Sequence, residues 1–206
     1  KQLRCITYPV LQPGDCCQFN SEFTIDGSVI EEGTGNNPCG FNPGLYVAII
    51  DPITLTPWQT RCNGFNPNNS FGNANDNCAC RNRPENYFFY NLSNAAQRAS
   101  LENLLNNIVP NGHFILAYTN HTPPFNNASF WPNSLITSFE NLGADTLRTL
   151  VDSAFSRSYI FFTRKGFNQL TQEAVGPSPT LPAELITYLE NDWMFGTITS
   201  PVIGPA

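Results

Sequence analysis

The chain has 206 residues, enough for one large domain or a domain with an appended piece. Only 13% of them are charged and the net charge is −6, with an isoelectric point near 4.8, which argues against an electrostatic grip on nucleic-acid phosphates or anionic lipid. No apolar run reaches the roughly 18 to 20 residues that cross a bilayer, so neither a nucleic-acid partner nor a direct membrane span is expected.

The first 37 residues read as short strands broken by turns at Pro13-Gly14-Asp15 and Asp26-Gly27, with Phe19, Phe23 and Ile25 alternating as in a half-buried strand. Residues 36–44, rich in Asn, Pro and Gly, predict a loop. Residues 45–50 (LYVAII), bounded by Pro43-Gly44 and Asp51-Pro52, predict a central strand buried on both faces. Residues 54–58 read as a turn and a second short strand, and residues 62–86, the least apolar part of the chain, as long loops.

Residues 87–90 (YFFY) predict a strand, followed by Ser93 or Asn94 as an N-cap and a helix over 95–108. Ala96, Ala99, Leu101, Leu104, Leu105 and Ile108 would share its apolar face. Pro110-Asn111-Gly112 ends that helix before a buried strand at 114–118. After a polar loop over 119–131, a second helix is predicted for 133–142 with Gly143 as its C-terminal cap. A third, short helical or turn segment at 145–154 and a strand at 159–162 follow. Residues 167–182 read as a linker, and residues 185–189 and 194–198 as a hairpin around Asn191-Asp192. Three parts result: a β and disulfide segment over 1–43, a core domain over 44–166, and a linker with a hairpin over 167–206 that leads into a further domain. The absence of an initiator Met and the ending at Ala206 read as a fragment of a larger protein.

Seven cysteines fall within the first 80 residues: Cys5, Cys16, Cys17, Cys39, Cys62, Cys78 and Cys80. Such crowding predicts a disulfide framework formed in an oxidising compartment. Zinc would need closer ligand pairs, and His113 and His121 lie far along the chain, so no metal site is expected there. Cys16 and Cys17 are neighbours, a ring too strained to close on itself, and read as reaching different partners. The odd count leaves one thiol over. Asn73, Asn75, Asp76 and Asn77 could wrap a calcium ion, though Asp76 is the loop's one carboxylate. No other cofactor is expected.

Catalytic chemistry is sparse. His113 opens a predicted buried strand, His121 lies in a Pro-rich loop, and the carboxylates are scattered, so no nucleophile with a base and no acid/base pair emerges. A non-enzymatic protein is expected. Carbohydrate binding needs an aromatic face for sugar CH groups and amides or arginine for the hydroxyls. The 119–131 loop offers Phe125, Phe130 and Trp131 beside Asn120, His121, Asn126 and Asn127, with Arg157 expected nearby. The competing reading is that Phe130 and Trp131 plug the core at the start of the second helix.

The succession GLYVAIIDPITLTPW, AAQRASLENLLNNIVPNGHFILAYT, NSLITSFENLGADTLRTL and YIFFTRKG resembles the interleukin-like EMT inducer domain over residues 44–166. The resemblance implies an α+β fold, a sandwich of mainly antiparallel β-sheets with two to three helices outside, and a non-catalytic role. The chain is also similar to the sugar-recognising stem domain of the protein O-mannose N-acetylglucosaminyltransferase. NYFFYNLSNAAQRASLENLLNNIVPNGHFILA and SPVIGPA further resemble modules in large exported Bacteroidota proteins linked to type IX secretion. Together these imply a secreted or cell-surface recognition module for a glycan or protein partner. The alternative is a structural spacer that docks against neighbouring domains of a larger chain or secretion-system components.

Overall fold

A computed structural model describes residues 1–9, 21–32, 44–60, 84–120, 125, 127–153 and 157–190. Among the described residues nine strands form two sheets in which every strand pair is antiparallel. The strands are β1 (Gln2–Thr7), β2 (Glu22–Ile25), β3 (Ser28–Glu32), β4 (Gly44–Ile50), β5 (Phe88–Tyr90), β6 (Phe114–Asn120), β7 (Tyr159–Arg164), β8 (Gln172–Val175) and β9 (Ala183–Tyr188). One sheet runs β3-β2-β1-β9 and the other β5-β4-β6-β7-β8. The helices are α1 (Ala95–Asn103), which continues as a π-helical turn (Leu104–Ile108), α2 (Asn133–Glu140) and α3 (Leu147–Ser153). The predicted α+β sandwich is the architecture found.

Side-chain parity explains the layering. Every residue of β4, β6 and β7 is buried, because each strand is covered on both faces. Leu45, Val47, Ile49, Ile115, Ala117, Tyr159 and Phe161 point toward Leu101, Leu104, Leu135, Phe139, Leu147 and Leu150 of the helices. Their alternates Tyr46, Ala48, Ile50, Phe114, Leu116, Tyr118, Ile160 and Phe162 meet Leu3, Phe23, Ile25 and Leu185 of the four-stranded sheet. Three layers follow: helices, five-stranded sheet, four-stranded sheet.

Several expectations are corrected. Cys5 is a free, fully buried thiol: β1 alternation turns it inward with Leu3, into the core between the sheets. Burial also pushes its pKa far above the ordinary thiol range. It therefore does not staple the amino-terminal segment; Cys16, Cys17, Cys39, Cys62, Cys78 and Cys80, and the calcium candidates around Asp76, lie outside the described residues. Glu31 sits buried in β3, where its carboxylate accepts from the Asn86 N–H at 2.9 Å and ties β3 to the approach to β5. Ala96 and Ala99 are exposed, since α1 buries only Leu101 before the wider π turn brings in Leu104 and Leu105.

The stretch expected to be a linker contains β8, which pairs with β7. β9 does not wait for a downstream hairpin partner: it pairs with β1 from Gln2↔Tyr188 to Thr7↔Ala183. The predicted strand at 194–198 lies outside the described residues.

Candidate ligand-binding cleft

The aromatic loop is the first place to look, and it faces inward. Phe125 and Trp131 are buried and stack on each other, with ring centroids 5.3 Å apart and planes 11° from parallel. Phe125 meets the Tyr159 ring edge-on, and Trp131 meets Phe139. Both rings belong to the core between helices and sheet, so they offer no face to a sugar. The core-plug reading of Trp131 is the observed one. Asn120 closes β6 almost fully buried, accepting from the Ser21 hydroxyl at 2.5 Å while its Nδ2 has no partner. Asn127 is exposed but spends its carbonyl oxygen on the Ser129 N–H and hydroxyl, capping the short turn Ala128–Phe130. Arg157 is half-buried just before β7; His121 and Asn126 lie outside the described residues.

The opposite end of β6 carries a different surface, about 20 Å away along the strand. Here the π turn after α1, the end of α2, the turn before β6 and the turn after β7 surround a cleft of about 520 Å³, within the roughly 300–1,000 Å³ of small-ligand sites. Its lining holds the amides of Asn106, Asn111, Asn141, Asn168 and Gln169, the Ser138 hydroxyl and the Lys165 ammonium, over Leu105 and Leu142. No carboxylate appears among the described lining residues.

Local backbone rules build this surface. Gly112 and Gly166, at φ of 90° and 86°, make the two turns that bring the chain past the sheet. Their strands are tied by Gly112 N–H to the Lys165 carbonyl at 2.8 Å and Lys165 N–H to the His113 carbonyl at 2.9 Å. Lys165 Nζ donates to the carbonyls of Leu105 and Asn106 at 2.6 and 3.1 Å, capping the π turn where its carbonyl groups would otherwise be orphaned. Burial lowers the pKa of that ammonium below the usual lysine value. Asn106 Nδ2 donates to the Ser138 hydroxyl at 2.9 Å, which in turn donates to the Ser134 carbonyl at 2.9 Å. Asn168 Nδ2 caps α2 through the Asn141 carbonyl at 2.8 Å.

What remains unspent defines the chemistry. The side-chain amides of Asn111, Asn141 and Gln169 have no hydrogen-bond partner among the described residues, and Asn106 and Asn168 each keep a free carbonyl oxygen. An amide presents both donor and acceptor without charge, which suits hydroxyl groups that also do both. Sequence reading missed this surface because its residues come from four separate parts of the chain and its amides, taken singly, are ordinary surface asparagines and a glutamine. The π turn beside it, of a kind that recurs at functional sites, shows only in the structure, since the sequence predicted one helix over 95–108. His113, the one described histidine, lies 3.7 Å from Asp51 and edge-on to Trp58, where it fixes the 51–58 loop against β6.

Fold and cleft together describe a three-layer α+β sandwich with a polar, largely uncharged groove at one end of its central sheet. The chain matches no family model and no curated protein.

Proposed function

We propose that this chain is a non-catalytic recognition module of a larger secreted or cell-surface protein, and that its amide-lined cleft takes a neutral, hydroxyl-rich ligand, a glycan. The observation that carries the reading is the set of unspent amides of Asn111, Asn141 and Gln169 in a cleft of about 520 Å³ with no carboxylate among its described lining residues. A hydroxylated ligand would exchange its bonds to water for bonds to these amides, and Leu105 and Leu142 would receive its CH surface. Lys165 serves the fold by capping the π turn and adds one positive edge to the groove. The extracellular setting is supported by the cysteine crowding and by the resemblance to exported modules.

A glycan-array screen tests this directly. Wild-type protein is expected to bind a restricted set of glycans, and Asn111→Ala and Asn141→Ala to weaken that binding by about tenfold or more, the loss of one or two ligand hydrogen bonds. Both side chains are exposed, so thermal stability should hold. An array without hits, or hits indifferent to both substitutions, would sink the proposal.

A further inference from the structure

The two sheets have four edge strands, and three are blunted. β3 carries a bulge opposite Phe23/Thr24 and ends in Glu31-Glu32, β5 has three residues, and β8 has four, with the Glu173 carboxylate turned to the N–H groups of Asp145 and Thr146. β9 differs. It runs six residues (AELITY) without Pro, Lys or bulge, pairs with β1 in unbroken register, and its outer edge makes no hydrogen bond among the described residues. An unblunted edge of this kind is a template for another strand.

The surroundings of that edge are apolar. Of the seven exposed large hydrophobic side chains among the described residues, five lie between positions 167 and 188: Phe167, Leu170, Leu181, Ile186 and Tyr188. Leu170 and Tyr188, 43% and 66% exposed, line a hollow of about 220 Å³ between β8 and β9 together with Phe114 and Phe162; its polar lining is internally bonded, Arg164 to the Gly112 carbonyl and over the Phe114 and Phe167 rings, and Gln172 to the Thr187 hydroxyl. Glu190 lies on its rim, and its carboxylate makes no ion pair among the described residues.

We infer that β9 is a docking edge for an extended peptide segment of another protein, which adds as a strand and places one apolar side chain in the hollow and a basic residue against Glu190. Main-chain bonds along β9 would give the affinity, and the hollow the side-chain preference, the division of labour seen when peptides augment a sheet edge. The acidic chain, with 16 carboxylates against 10 basic side chains, favours the same choice of charge. A second copy of this chain fits less well. In a β9–β9 pair the copy's strand (AELITY) carries no Lys or Arg to set against Glu190, and its Ala183, Leu185 and Thr187 are already buried beneath its own sheet.

The test is selection of random octapeptides displayed on phage against the immobilised full chain. Enriched peptides should share one large apolar residue with a Lys or Arg within a few positions. Synthetic versions should lose at least tenfold in affinity on N-methylation of alternate amides facing β9, and little on N-methylation of the other set. Leu170→Glu and Tyr188→Glu, at exposed positions, should abolish binding, while Asn111→Ala should not, which separates this edge from the cleft. No enrichment, equal sensitivity to both methylation sets, or a concentration-dependent dimer dissociated by Tyr188→Glu would each overturn it.

Discussion

Asp51 shows how much one polar side chain organises. It follows the central strand β4, and its Oδ1 accepts from the N–H groups of Ile53 and Thr54, both at 2.8 Å, and from the Thr54 hydroxyl at 3.2 Å, so that the chain turns back on itself. Burial alone would raise its pKa, but these bonds, with His113 nearby, outweigh it and hold the carboxyl below the ordinary aspartate range. A pKa lower in the folded than in the unfolded chain stabilises the fold fully above about pH 4, the unfolded value, and the effect is lost as pH falls through the folded value. Asp51→Asn should therefore lower the urea midpoint at pH 7, and the gap from wild type should narrow by pH 3. An equal gap at both values would assign the effect to shape instead of charge. Trp131 teaches a different lesson at this scale. Sequence left its ring either facing a sugar beside Asn126 and Asn127 or plugging the core, and nothing in a single sequence says which way such a ring points once Phe125 offers it a stacking partner inside.

Elements with one dominant signal were legible. The apolar run of β4 between Pro43-Gly44 and Asp51-Pro52 marked a strand buried on both faces, and the shorter runs FILAY in β6 and YIFF in β7 marked strands. Asn94 caps α1 as expected, accepting from the N–H groups of Ala96 and Gln97. The apolar face of α1 was misread in its first turns: the residues three and four before Leu101 are Arg98 and Gln97, so Ala96 and Ala99 fall off its face. Strand partners were less legible still, since β9 carries the alternation of a half-buried strand but no mark that β1, some 180 positions earlier, is its neighbour. Gly143 was placed correctly at the end of α2, at φ of 98°. It also allows a close approach: a Cβ there would lie 2.6 Å from the Thr171 hydroxyl and 3.0 Å from the Asn168 carbonyl. Gly143→Ala should thus cost more than about 1 kcal/mol in a urea titration, from strain and crowding together. A loss near zero would mean that the 168–171 turn shifts freely away from α2.

For the whole molecule, the sandwich depends on pairing the two ends of the described chain. The Lys1 ammonium donates to the Leu189 carbonyl at 2.8 Å, and the Leu189 N–H donates to the Lys1 carbonyl at 2.7 Å. The cleft and the β9 edge are both held by strands whose partners are distant in sequence. That explains why neither could be read from local pattern. The same closure sets how the protein responds to tension. A force applied through Lys1 and Leu189 acts at the same end of the β1–β9 pair, so its cross-strand bonds are loaded one after another and not all together. Pulled in an optical trap from these two positions, the molecule should peel β9 from β1 at low force before the five-stranded sheet yields. Pulled instead from Thr7 and Leu189, the same pair is sheared along its length and should hold to a markedly higher force. The protein is a zip in one direction of load and a clamp in the other.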